Sequence, residues 1–220
     1  SGRHTVAANG TRTVFTIGNR AATEQLAHVT LWTDRGVPTL RFDVRLPPSG
    51  VKEIDLLALF TSGTVPSSTA GGFASCAATL PPANLNATDL SGLRNAHTGL
   101  ASSLLSNQCG GVARGDGIAR GYITVDVVRA CSNAVPGDAG YFVFGGSGTA
   151  TNDNVLWGEY SIAYPAQNTA WGDTVVHIEA SATDPTTDGV PNVPSFGSPA
   201  VPDYTFYGRR IGVGAADNRE

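Results

Sequence analysis

His177 and Glu179 form the residue pair in this sequence best suited to acid–base or metal chemistry. They alternate with apolar residues in Val176-His177-Ile178-Glu179, so on a strand both side chains leave the same face. An imidazole and a carboxylate at that spacing can share a proton or hold a divalent metal. A solvated pair on a wet strand face uses the same residue types. Asp184 and Asp188 add carboxylates in a Pro/Thr-rich run, and Asn152-Asp153-Asn154 adds hard oxygens in another. Calcium takes such ligands. Neither run has the spacing of an EF-hand loop, and both suit turns. A structural calcium is therefore the only cofactor these residues point to. Gly146-Ser147-Gly148 resembles part of a nucleophile elbow, but Thr149 stands where G-x-S-x-G needs glycine. No catalytic residue is expected.

A second chemistry is stacking. Trp32, Trp157 and Trp171, with Tyr122, Tyr160 and Tyr164, can build a platform for sugar rings. Aromatic residues on strands also serve as packing. Trp32 is the expected ligand-stacking residue, because alternation directs it away from Val29 and Leu31. His28 leaves on the same side as Trp32, where it can join His177 and Glu179 if their strands are neighbours. His4 and His97 suggest no partners.

The cysteines are Cys76, Cys109 and Cys131. None forms a C-x-x-C pair, which argues against a thiolate zinc site or a redox motif. Residues 61–120 are rich in Ser, Thr and Gly, and their main apolar anchors are Leu90, Leu93, Leu100, Leu104 and Leu105. Ordering each residue costs about 1–2 kcal/mol of backbone entropy. A Cys76–Cys109 disulfide is expected to staple this insertion, stabilising it by roughly 3–4 kcal/mol. Cys131 then reads as an unpaired, buried thiol at a strand end, the alternatives being a bridge to Cys109 or an intermolecular one.

The elements that must position these residues are strands. Leu40, Phe42, Val44 and Leu46 alternate with Arg41, Asp43 and Arg45, a period of two with one apolar and one charged face. With Val29 and Leu31 before it and Asp34-Arg35-Gly36 as the turn, residues 26–46 read as a hairpin with one wet face. Further strands are expected at Thr11 to Ile17, Val51 to Phe60 (a strand, or a strand running into a helical turn), Tyr122 to Val128, Val155 to Tyr164, Thr174 to Ala180 and Tyr204 to Val213. Thr11 to Ile17, the two hairpin strands and the strand from Val51 follow one another as a meander. Asp89 is expected to cap a short helix bearing Leu90, Leu93 and Ala96, ended by Gly99. Leu100 to Asn107 adds a further helical turn or two. The fold class is all-β: an antiparallel sandwich, immunoglobulin-like or jelly-roll, with a loop-rich, partly helical, disulfide-stapled insertion at 61–120. Residues 1–220 read as one domain, with a Pro-rich extended segment at 181–203.

Charged residues make up only 15% of the chain, and the net charge is −4. The basic residues are dispersed, which excludes the clustered cationic surface that nucleic acid needs. No apolar run reaches the ~20 residues of a membrane-spanning helix. The first residue is Ser1 and the chain contains no Met, as expected of a processed, exported product. All basic residues but Lys52 are arginine, which fits a GC-rich bacterial genome.

Phe15-Thr16-Ile17-Gly18-Asn19, His28 to Asp34 and Pro47-Pro48-Ser49-Gly50 resemble the opening of secreted bacterial surface-associated domains with an immunoglobulin-like sandwich. Ala119 to Asp126 and Asn154 to Tyr160 are similar to segments of exported proteobacterial proteins of unassigned function. The resemblance covers about half the chain and implies export and a β-sandwich. It supplies no catalytic residues. The ending Ala215 to Glu220 is read as continuing into a longer parent. The expected function is that of a non-enzymatic, secreted or cell-surface structural or adhesive protein. It would self-associate or bind another surface protein. The alternative is a carbohydrate-binding module or accessory domain of a secreted hydrolase, with a polysaccharide as partner.

Overall fold

The computed structural model describes residues 10–66, 84–143, 146–151 and 153–175, and the backbone alone of residues 2–5. Strands dominate. The order is β1 (Gly2–Thr5), β2 (Arg12–Asn19), β3 (Gln25–Thr33), β4 (Pro38–Leu46), β5 (Val51–Asp55), α1 (Leu56–Ser62), α2 (Ala87–Thr98), β6 (Ala101–Ser102), β7 (Gln108–Cys109), β8 (Ile118–Val127), β9 (Leu156–Tyr164) and β10 (Thr169–Thr174). The first sheet has the order β1-β8-β3-β4 and the second β10-β9-β2-β5, while β6 and β7 form a small ribbon. Every pairing is antiparallel. The all-β, antiparallel class expected from the sequence is what the chain adopts.

The hairpin forms as the alternation requires, with Val29 opposite Phe42 and Leu31 opposite Leu40. Gly36 takes a positive φ of 72° in its turn, which glycine does without a Cβ penalty. The meander, however, does not form. β2 pairs with β5 and β9, whereas β3 pairs with β4 and β8. The chain therefore changes sheet between β2 and β3, and again between β4 and β5. Asn19 explains how both crossings are held. Its side chain, 2% exposed, donates to the carbonyls of Thr23, Leu46 and Pro47 at 2.8, 3.2 and 3.0 Å, and accepts from the Ala21 N–H at 2.8 Å. Its own backbone N–H donates to the Gly50 carbonyl at 2.9 Å. One buried amide thus ties together the two connections that leave and re-enter the second sheet.

A single apolar cluster draws on both sheets: Phe15, Ile17 and Ile54 from the second, and Val29, Leu31, Phe42, Val44 and Leu46 from the first. The helices close it. Asp55 caps α1 by accepting from the Leu57 N–H, and Leu56, Leu59 and Phe60 face inward. α2 is capped by Asn86, which accepts from the Asp89 N–H. The cap thus lies three residues before the expected one, and Asp89 lies in the first turn of the helix. Gly99 ends it as expected, with φ 80°.

The attachment of the insertion differs from expectation. Cys109 is a free, exposed thiol, so the Cys76–Cys109 staple is not made. Cys131, expected to be unpaired, is disulfide-bonded and packs beside Leu26 and Val128. Cys76 lies outside the described residues. Packing and polar ties anchor the described part of the insertion. Leu93 is fully buried in the main cluster, although Leu100 and Leu104 are exposed. Arg94 donates from Nη2 to the Thr61 carbonyl at 2.7 Å and from Nε to the Phe60 carbonyl at 2.5 Å, satisfying carbonyls at the end of α1. Ser102 donates to the Gly92 carbonyl at 2.7 Å, and the Val112 N–H donates to Asp34 at 3.1 Å. Leu100 to Asn107 forms β6 and a 3-10 turn over Ser103–Leu105, in place of a regular helix.

Candidate functional site

Two outer surfaces, one on each sheet, collect the polar and aromatic residues with chemical potential. On the first sheet, alternation sends His28, Thr30 and Trp32 away from the shared cluster, as expected, but that side is not wet. His28, Thr30, Trp32 and Asp43 all have 0% exposure. The chain after β8 folds back over them. Thr151 N–H donates to the Val127 carbonyl at 2.8 Å, and Val128 bridges to Ala150. Between these points Tyr141, Phe142 and Ala150 form a second apolar cluster with Trp32.

Under that cover lies a polar network. In register, His28 stands between Asp43 on β4 and Asp126 on β8. His28 donates from Nδ1 to Asp43 Oδ1 at 2.6 Å. The other oxygen of Asp43 accepts the Ser132 N–H at 3.1 Å, and Tyr141 donates its hydroxyl to Asp126 at 2.9 Å. Nε2 of His28 and Oγ1 of Thr30 are buried without a hydrogen-bond partner. A His–carboxylate dyad can serve a base or a nucleophile. Here both oxygens of Asp43 are committed, one to the imidazole and one to the covering chain. The dyad thus pins the cover to the sheet.

Trp32, the expected ligand-stacking residue, is part of this sealed layer. Its Nε1 donates to Thr124 Oγ1 at 2.9 Å, and its ring stacks on Tyr122 with centroids 5.8 Å apart. It offers no face to a ligand. The reason is long-range: the residues that cover it, Tyr141 and Phe142, lie far along the chain.

Among the described residues nothing covers the second sheet's outer surface. Cross-strand register sets out successive rungs on it. Trp157, Gly18 and Val51 share one rung, and Glu159, Thr16 and Glu53 share the next. Val51 is 55% exposed, and both glutamates are exposed. Arg12 and Asp55 form an ion pair at 2.9 Å further along. At one margin of this sheet β10 is exposed along all six residues. It pairs with β9 and, among the described residues, with no other strand. Trp171 on it is 49% exposed and meets Tyr160 edge-on at 5.5 Å. No family model, curated protein or solved structure matches this chain.

His177, Glu179, Asp184, Asp188 and Asn152 lie outside the described residues. Among the described residues no group of three or more His, Cys, Asp or Glu side chains could hold a metal ion, and no helix is long and apolar enough to cross a membrane. His97 has the partners that its sequence context hides. Its Nδ1 donates to the Arg120 carbonyl at 2.9 Å, its Nε2 accepts from Thr39 Oγ1 at 2.8 Å, and Phe60 meets its ring edge-on. Burial lowers its pKa to about 4, against a smaller upward pull from the Arg120 carbonyl. Asp116 accepts a two-pronged contact from Arg120 at 2.9 and 2.6 Å, and this contact holds its carboxyl well below the usual range.

Proposed function

We propose that this chain is a non-enzymatic, exported structural or adhesive protein of β-sandwich type that associates with copies of itself or with another surface protein through β10. The observation that carries this reading is the exposed edge of Thr169–Thr174. An edge strand presents unpaired N–H and C=O groups to any incoming strand, and proteins usually blunt it with lysine, proline or a bulge. β10 reads Thr-Ala-Trp-Gly-Asp-Thr, with neither lysine nor proline. At the opposite margin of the sheet, β5 carries Lys52 and Glu53. The half-exposed Trp171 gives an incoming strand an aromatic anchor of the kind enriched at interfaces.

Export is supported by the oxidised state of Cys131, because disulfides persist in oxidising compartments. Cys109 is free. Peptide mapping under non-reducing conditions reads the cysteine states directly, and a linked peptide containing Cys109, or a free thiol at Cys131, overturns this support. The sealing of His28 and Asp43 supports the non-enzymatic reading.

Sedimentation velocity over a concentration series, with electron microscopy of the concentrated samples, tests the association. Species larger than a monomer are expected, and Trp171→Lys should return them to monomer by placing charge on the edge. A chain that stays monomeric and binds no surface protein, or an association untouched by Trp171→Lys, overturns the proposal.

A further inference from the structure

The open outer surface of the second sheet has a feature that β10 does not explain. Trp157 stands directly across from Gly18. A β-carbon built on Gly18 would lie 2.1 Å from Cε2, 2.2 Å from Nε1 and 2.5 Å from Cζ2 of the indole. The ring therefore rests against the backbone of β2 in space that any other residue at position 18 would fill. Packing against the sheet restricts the ring without burying it fully, since Trp157 retains partial exposure. The adjoining rung, Glu159, Thr16 and Glu53, places a hydroxyl between two exposed carboxylates. Neighbouring strands lie ~4.8 Å apart, and successive same-face residues ~7 Å apart. An aromatic surface and a row of hydrogen-bond acceptors thus sit side by side at the scale of one sugar unit.

We propose that this surface binds neutral hexopyranose units of a polysaccharide, one ring stacking on Trp157 and its hydroxyls bonding to Glu159, Thr16 and Glu53. A pyranose has an apolar C–H face and a rim of O–H donors. Such a ligand matches an apolar ring flanked by a few placed polar groups. Carboxylates accept from hydroxyls and repel anionic polymers, so phosphates, nucleic acids and uronate chains are disfavoured here. This inference is independent of association through β10, and sedimentation and sugar binding are read separately.

The test is affinity electrophoresis and calorimetry of the full chain with three neutral probes: hydroxyethylcellulose, laminarin and galactomannan. Cationic chitosan and anionic alginate complete the panel. Binding to at least one neutral probe is expected. Trp157→Ala and Gly18→Ala should each weaken it about tenfold or more, a change of at least ~1.4 kcal/mol in binding free energy. Gly18→Ala is informative because it keeps the tryptophan and displaces its ring. Glu159→Gln, at an exposed site, guards against misfolding of the other variants and should also weaken binding. Leu100→Ala, at an exposed site outside this sheet, should leave binding unchanged. Binding to none of the neutral probes, binding to chitosan alone, or neutral binding that survives both Trp157→Ala and Glu159→Gln overturns the proposal.

Discussion

The outer surfaces of the two sheets are built from the same kinds of residue and meet opposite fates. On the first sheet, His28, Thr30, Trp32 and Asp43 are sealed beneath the chain that follows β8. On the second, Thr16, Glu53, Trp157 and Glu159 keep contact with solvent. Polarity of a strand face therefore does not by itself decide exposure. A polar face can be buried when its groups are paired with one another and with the covering backbone. Asp43 does this for the first sheet by binding His28 on one oxygen and Ser132 on the other. Among the described residues the second sheet has no such cover, and the same chemistry stays in contact with solvent.

The largest effect expected from breaking this contrast comes from Asp43→Ala. It leaves the buried imidazole Nδ1 and the Ser132 N–H without their acceptor, and each buried donor left unsatisfied costs ~1–3 kcal/mol, so the pair should cost ~3–5 kcal/mol. Urea denaturation of the variant measures it. A loss below 1 kcal/mol would mean that the cover does not depend on the pair. The next effect is on pH. In the folded chain burial holds the His97 pKa at about 4, against its ordinary value of 6.5. Between these values the unfolded chain takes up a proton that the folded chain refuses. Stability should therefore be intact above pH 6.5 and fall by about 3 kcal/mol as pH drops to 4. Comparing unfolding free energies at pH 7 and 4.5 for the native chain and His97→Gln isolates this dependence, and equal pH slopes would refute it.

Asn19→Ala should cost about 2–3 kcal/mol by leaving buried carbonyls and the Ala21 N–H without their partner. Thermal melting monitored by circular dichroism reads the loss, and a melting temperature within a degree of the native chain's would remove the two crossings from its control. At the other extreme, Glu53→Gln on the open face should change stability by less than about 0.5 kcal/mol. A larger loss would show that the second sheet's outer face carries structural weight after all.

Much of the fold was legible in the chain. Alternation at Leu40 to Leu46 marks the hairpin, one of the two readings of Val51 to Phe60 is the strand running into a helical turn that forms, and Leu93 and Ala96 mark the buried side of α2. What remained hidden depends on partners distant in sequence. Nothing local to Trp32 announces Tyr141 and Phe142, so its burial could not be inferred from alternation. The role of Asn19 is hidden for the same reason, since its three acceptors belong to segments whose approach is set by the sheets. β10 was missed because Thr-Ala-Trp-Gly-Asp-Thr lacks a clean period of two, and its pairing follows from the tight turn at Pro165–Gln167. The open rung at Trp157 was legible as an aromatic candidate, while Gly18 as its seat required the register.

The ladder between β2 and β9 joins Arg12 to Ala163 and Asn19 to Leu156, which gives the second sheet a timetable. During synthesis its first long strand must wait for nearly all the described chain before its central partner exists, whereas β3 and β4 can meet at once. Non-local pairing of this kind slows folding, because the closure entropy of the intervening loop must be overcome before the contacts repay it. One edge of β2 thus stays without its partner until β9 arrives, while β5 can already hold the other edge.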